Sequence, residues 1–397
     1  MSSWTFVPLE RLAAKEKSAI SKPYGSAMLK QDYRVSGVPV VRGVNLARGR
    51  FYDDGFVYID PEHARRIPGA ILKAGDLVIT HRGTVGQVSM IPRKPRYCEY
   101  VASTSHVKVR LDDQIAVPEF YYYWFSSALG RRSILDNVST VGVPGLAQPV
   151  ATVKRLMVPH PPLPEQRAIA EVLGALDDKI AANASLVQSV DELMRVTFQS
   201  LLYDGERIPL SSLARFINGK AFTKGATGTG RVVIRIAELN SGIGGSTVYN
   251  DLEVADDHLA RPGDLLFAWS GSLTVHRWFR PEGIVNQHIF KVVPEAVPMW
   301  VMKSALDQKL TDFKAIAADK ATTMGHIQRR HLDEPVLVPS AGAIKEHDAS
   351  MSALWQRALL AEQESLHLAE LRDALLPGLM SGKIRVKDGE RVVGEAV

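Results

Sequence analysis

The stretch Pro161–Leu202, PPLPEQRAIAEVLGALDDKIAANASLVQSVDELMRVTFQSLL, decides how the rest of the chain is read. Beyond its prolines it contains a single glycine, Gly174. Leu173, Leu176, Ile180, Asn183, Val187, Val190, Met194, Thr197 and Leu201 follow one another at alternating spacings of three and four. That pattern predicts a coiled-coil helix with one narrow seam. At 1.5 Å per residue the helix is roughly 60 Å long, longer than a small domain is wide, so folded parts are expected at its ends. Asn183 and Thr197 within the seam read either as register-setting polar positions or as solvated ones.

Working outward, the chain matches itself. VPLERLA from Val7 matches IPLSSLA from Ile208, VVRGVNL from Val40 resembles VIRIAEL from Val233, and Gly75-Asp76 falls on Gly263-Asp264. His106 meets His288 at an offset of 182, and Pro118, Gly145 and Pro159 meet Pro298, Gly325 and Pro339 at 180. Matches in one order with a shrinking offset are what a duplicated unit that has lost short loops leaves behind. Each copy reads as strands around a hairpin (Asp76–Thr80 with Gln87–Ile91; Asp264–Trp269 with Thr274–Trp278). A Pro-initiated helix at Pro118 or Pro298, a short strand ending in proline and a long helix complete it. The second long helix, Ala343–Leu376, places Leu354, Ala361, Leu368 and Leu375 seven apart and is expected to end at Pro377-Gly378. The two helices can pack on each other within one chain, most simply antiparallel about an approximate twofold axis.

Composition bounds the function. The 397 residues are 46% hydrophobic and 23% charged, ordinary for a globular chain of two or three domains. No leader-like or membrane-spanning apolar run is evident, so residence in the cytoplasm is the expectation. The single cysteine, Cys98, excludes an internal disulfide and reads as a small buried residue. Net charge is +9 over residues 1–163, −4 over 164–208, +2 over 209–339 and −2 over 340–397. Basic globular parts beside acidic helices suit contact with a polyanion by the former.

Catalytic patterns are missing. GATGTGR at Gly225–Arg231 lacks the Gly-Lys-Ser/Thr closure of a phosphate loop and reads as a plain loop. No His-Glu-x-x-His, nucleophile elbow, amino-methyltransferase motif or helicase-type ATP site occurs. A binding protein is therefore expected. Arg82, at the tip of a hairpin with glycines at 83 and 86 and Thr84 flanking it, can reach a guanine edge or a phosphate. Ser103, Thr104, Ser105 and His106 form a polar cluster answered by Asn286, Gln287 and His288, and amides pair bidentately with adenine. Arg42 and Arg235 match across the copies as phosphate candidates. Ser270 sits at the second hairpin tip, and Lys320, Thr322 and Thr323 lie in a polar loop equivalent to Thr140–Pro144. The aromatic run Phe120–Phe125 reads as core packing.

Pro-Pro-Leu-Pro-Glu-Gln from Pro161 to Gln166, leading into a heptad helix and repeated in degenerate form after a second domain, resembles the specificity subunit of type I restriction-modification enzymes. The resemblance covers residues 5–386. It implies an α+β fold in which two repeated target-recognition domains, 1–163 and 208–342, are separated by two long helices, 164–207 and 343–382. These form an antiparallel coiled coil with pseudo-twofold symmetry, and 383–397 is left as a loosely ordered tail. It further implies a non-catalytic chain that reads a bipartite site on double-stranded DNA and docks two methyltransferase subunits, which recruit translocase and nuclease subunits. S-adenosylmethionine, ATP and Mg belong to those partners. The second signature departs from the pattern: Pro162–Gln166 is answered by Gly342-Ala343-Ile344-Lys345-Glu346. A stand-alone DNA-binding regulator and a coiled-coil scaffold are the alternative readings.

Overall fold

The computed structural model describes residues 4–139, 144–319 and 325–396. The chain divides into two compact units, Met1–Asp178 with Ala369–Val397, and Lys179–Leu368. The division falls inside each long helix, so each globular domain keeps the helical segments packed against it.

Both units use one topology. In the first, a four-stranded antiparallel sheet runs in the order Ile20–Ser21, His106–Val109, Leu77–Thr80, Val88–Met90. A second sheet runs Val57–Ile59, Val38–Val41, Tyr100–Ala102, Ile71–Leu72, with one parallel pair between its two central strands. Thr5–Pro8 pairs with Met157–His160 and closes the domain. The second unit repeats each order. Ala214–Asn218, Ile289–Pro294, Leu265–Ala268 and Thr274–Arg277 form one sheet. Tyr249–Asn250, Arg231–Ile234, Gly283–Val285 and Leu259–Ala260 form the other, with the same parallel pair. Glu206–Pro209 pairs with Pro335–Val338.

The shared Gly-Asp step is a turn in both copies. Asp76 Oδ2 accepts from Lys73 N at 2.8 Å and Asp264 Oδ2 from Arg261 N at 2.8 Å, while Gly75 and Gly263 take φ of +84° and +97°. A side chain in that left-handed region is strained, so glycine precedes the capping aspartate.

Strand register corrects parts of the sequence alignment. Thr80 pairs with His106 and Ala268 with Ile289, so His106 corresponds to Ile289, and Ser105 to His288. A one-residue slip matters because successive strand residues face opposite sides of the sheet. At the closing strand, Val7 pairs with Val158 and Ile208 with Val336, which sets Pro159 against Leu337 rather than Pro339. Carried into the helix, the same register sets Gln166 against Ile344, not Glu346.

That shift gives the proline-Glu-Gln signature a physical role. Gln166 is fully buried; its Oε1 accepts from Val117 N at 2.9 Å, just before the helix Pro118–Ser126, and its Nε2 donates to Pro161 O at 2.8 Å. One amide thus joins the start of the long helix to the start of the domain's own helix. In the second unit Ile344 instead packs against the apolar core. Gln166→Ala should destabilise the first unit by about 1–3 kcal/mol through the lost bonds to buried groups, with faster hydrogen exchange at the Val117 amide as the check. Unchanged exchange there would remove this role.

The first long helix spans Leu163–Ser200 and the second Ala341–Met380. The helix continues past Pro377, where an end was expected, and the Ser381 N–H and hydroxyl both donate to the Pro377 carbonyl, at 3.2 and 2.7 Å. In the second unit the helices run antiparallel. Val190, Met194 and Phe198 share a core with Met351, Trp355 and Ala358, and Asn183 Nδ2 donates to Glu364 Oε2 at 2.7 Å. Asn183 is thus a buried, partnered seam position, whereas Phe198 takes the buried place expected near Thr197. In the first unit Arg372 Nη1 meets Asp177 Oδ1 at 2.6 Å, and Asp177 Oδ2 accepts from the Tyr123 hydroxyl at 2.8 Å. Burial works against the Arg372 charge, but the Asp177 and Asp373 carboxylates outweigh it and raise its pKa.

Two expectations fail. Residues 383–397, expected as a loose tail, contain a helix, Val386–Ala396, in which Val393 is buried and Gly389 lies against Val172 and Leu379. Its amphipathic spacing was hidden by two glycines and a short length. Cys98 is exposed, because it sits in the loop preceding the strand Tyr100–Ala102 instead of on it. The aromatic run is core as expected: Phe120, Tyr121, Tyr123, Trp124 and Phe125 are all buried.

Candidate nucleic-acid interface

In the first unit, hairpin and loop are laced together. His81 N donates to Ser105 O at 2.9 Å, Leu146 N donates to His81 O at 2.9 Å, and His81 Nε2 lies 3.0 Å from Thr104 O. Ser103 Oγ and His106 Nδ1 are 2.8 Å apart. His106 is buried at 1% exposure and lies beneath the loop, so it supports the surface and cannot touch a ligand. Burial, with His81 adjacent, brings its pKa down to about 4. Burial also lowers His81, aided by the charges of Lys22 and Arg82 and opposed by the bond to Thr104. Both imidazoles are therefore neutral near pH 7, and the positive charge at this end comes from Arg82 and Lys22. Arg82 is exposed and makes no side-chain hydrogen bond among the described residues, while Thr84 Oγ1 is engaged with Gln87 Oε1 at 2.8 Å.

The second unit builds the same end with other chemistry. Trp269 stands where His81 does, its indole N–H donating to Asn218 Oδ1 at 2.9 Å and its ring 5.2 Å from that of His288. Ser270, in the place of Arg82, is buried at 4% exposure. Asn286, also buried, accepts on Oδ1 from Phe222 N at 3.1 Å, and Gln287 N donates to Lys220 O at 2.9 Å. Gln287 is exposed and His288 half-buried.

The matched arginines part company. Arg235 Nη2 and Nε are held by the two oxygens of Glu238 at 2.6 and 3.0 Å, and the guanidinium also reaches Ser246 O. Burial opposes ionisation of Glu238, but Arg235 overcomes it and leaves the carboxyl below its usual range. Arg235 is thus a structural ion pair rather than a free phosphate contact. At Arg42 the acid is replaced by Asn45, whose Oδ1 accepts from Arg42 N at 3.0 Å; the Arg42 guanidinium reaches Gly55 O at 3.3 Å. Lys320, Thr322 and Thr323, with Thr140–Val143, lie outside the described residues.

Lys22 and Lys220 were missed. Both follow the first strand of their domain's antiparallel sheet, Ile20–Ser21 and Ala214–Asn218, in segments where the two copies share no recognisable sequence. Only the fold brings them beside the polar loops.

Residues 14–192 match the family model of the type I restriction modification DNA specificity domain. Among solved structures, the chain is similar to the type I restriction-modification S subunit from M. genitalium, at 16% identity over 95% of this chain and 96% of that one, with a TM-score of 0.58. The HsdS subunit from Thermoanaerobacter tengcongensis matches at 16% identity, 97% and 98% coverage and a TM-score of 0.37. A comparison with curated protein sequences finds no match. No helix among the described residues is long and apolar enough to cross a membrane.

Proposed function

From the match of residues 14–192 to the family model of the type I restriction modification DNA specificity domain, we propose that the chain is the non-catalytic specificity subunit of a type I restriction-modification complex. Its two domains each read one half of a bipartite site on double-stranded DNA. The long helices dock two methyltransferase subunits, through which translocase and nuclease subunits join. S-adenosylmethionine, ATP and Mg are used by those partners, in the cytoplasm.

The observation that carries this reading is one scaffold used twice with different side chains at the same end. Sheet order and turn geometry are the same in both units, while the hairpin tip and facing loop change from His81, Arg82 and Thr104 to Trp269, Ser270 and Gln287. Constant frame with variable tips is what reading two different half-sites requires, since loops on a rigid scaffold carry specificity. A stand-alone regulator would bind DNA alike but would not co-purify with a methyltransferase, and a scaffold would not bind DNA.

The test is duplex binding by the complex of this chain with its methyltransferase, across a salt series. Affinity should fall steeply with salt. Arg82→Ala should weaken binding to the specific duplex by about 1–3 kcal/mol and leave binding to random duplex nearly unchanged. Equal affinity of the unaltered complex for specific and random duplex would defeat the reading.

A further inference from the structure

We infer that Gln287 is the specificity-determining residue of the second unit and that it reads an adenine. This rests on the DNA-reading role proposed above, and it identifies which side chain does the reading where the first unit's arginine has no counterpart.

At the hairpin tip of the second unit, Ser270 replaces Arg82 and is 4% exposed. It cannot extend into a groove. Facing the tip is the loop Asn286–His288, and its three side chains are sorted by the backbone. Asn286 turns inward, capping Phe222 N at 3.1 Å, and its own N–H donates to Ile234 O at 3.1 Å. His288 takes φ of +74°, a left-handed conformation rare for a residue with a Cβ, and its ring packs on Trp269 with Nδ1 buried and unpartnered. Such an outlier persists only where its surroundings fix it. Here Trp269 N donates to His288 O at 3.1 Å, and Gln287 N donates to Lys220 O at 2.9 Å.

Between these inward-turned neighbours, Gln287 is exposed, and its amide makes no hydrogen bond among the described residues. The backbone beneath it is held at both ends, so the side chain is presented without ordering the loop at the moment of binding. A primary amide offers one donor and one acceptor side by side. In the major groove that pair fits adenine, whose N6 donates and N7 accepts, and no other base presents the same two in that arrangement. Lys220, exposed beside the loop, adds positive charge for the neighbouring phosphates.

The experiment maps methylated motifs in cells that express the complex with unaltered chain, with Gln287→Ala, or with Gln287→Glu. With Gln287→Ala, one A·T position in one half-site should lose its preference by roughly 5- to 150-fold, the other half staying intact. With Gln287→Glu, an acceptor-only side chain, preference at that position should move toward C·G, a change that a merely structural role would not give. An unaltered motif in both variants, or an even loss over every position, would overturn the assignment to Gln287 while leaving the DNA-reading role standing. An unaltered chain with no preferred motif would overturn both.

Discussion

Arg277→Met is expected to destabilise the second unit by about 3–5 kcal/mol, the usual result of removing one partner from a buried charge cluster. Arg277 ends the strand Thr274–Arg277, and its side chain is 2% exposed. Its Nε donates to Glu362 Oε2 on the second long helix at 2.7 Å, its Nη1 lies 3.5 Å from Asp191 Oδ1 on the first, and its guanidinium stands 4.5 Å over the Trp355 ring. One cation thus ties the sheet to both helices. Burial already raises the Glu362 carboxyl pKa, against the pull of Arg277. Methionine would leave that carboxylate buried without its counter-ion. A carboxyl raised above its unfolded value holds its proton more tightly when folded, so stability in the variant should recover as pH falls through the raised value. Denaturant unfolding, with hydrogen exchange along 274–278 and 358–362, measures the effect. Replacing Glu362 by methionine as well should restore part of the loss. A loss under 1 kcal/mol at neutral pH would mean that apolar packing, not this cluster, holds the sheet to the helices.

The largest functional effect is expected from exchanging residues 1–160 for another recognition domain: one half of the recognised site should change completely and the other not at all. Each wrong base pair costs about 1–3 kcal/mol, so a half-site of several pairs amounts to full loss of the original specificity. The exchange succeeds only if the incoming domain meets the retained helix. Gln166 must find a backbone N–H in the place of Val117, and Asp177 a donor in the place of the Tyr123 hydroxyl. Methylation mapping reads the result. Changes in both halves would show that the units do not read independently.

The duplication was legible because its signs are local. A Gly-Asp turn needs a left-handed glycine and a capping carboxylate wherever it occurs, and Leu9 with Leu12 answers Leu210 with Leu213 because each pair is buried just after its domain's first strand. The first long helix was legible for the same reason, since its seam repeats within a few turns. Register was not. His106 and His288 match by letter but not by place, because a pairing partner far along the chain sets which face a strand residue takes.

The candidate surface divides along the same line. Arg82 and Gln287 could be picked out because a turn at a glycine and a polar run between strands place side chains outside. The sequence could not tell that Arg235 is taken up by Glu238, that His106 lies under the loop it was grouped with, or that Lys22 and Lys220 belong beside it. By itself, then, the sequence determined the repeat, the fold class and the absence of recognisable catalytic motifs, all of which rest on local patterns. The tertiary structure alone decided which polar groups are consumed inside the protein and which remain exposed, because a hydrogen bond or ion pair depends on distances set by residues remote in the chain.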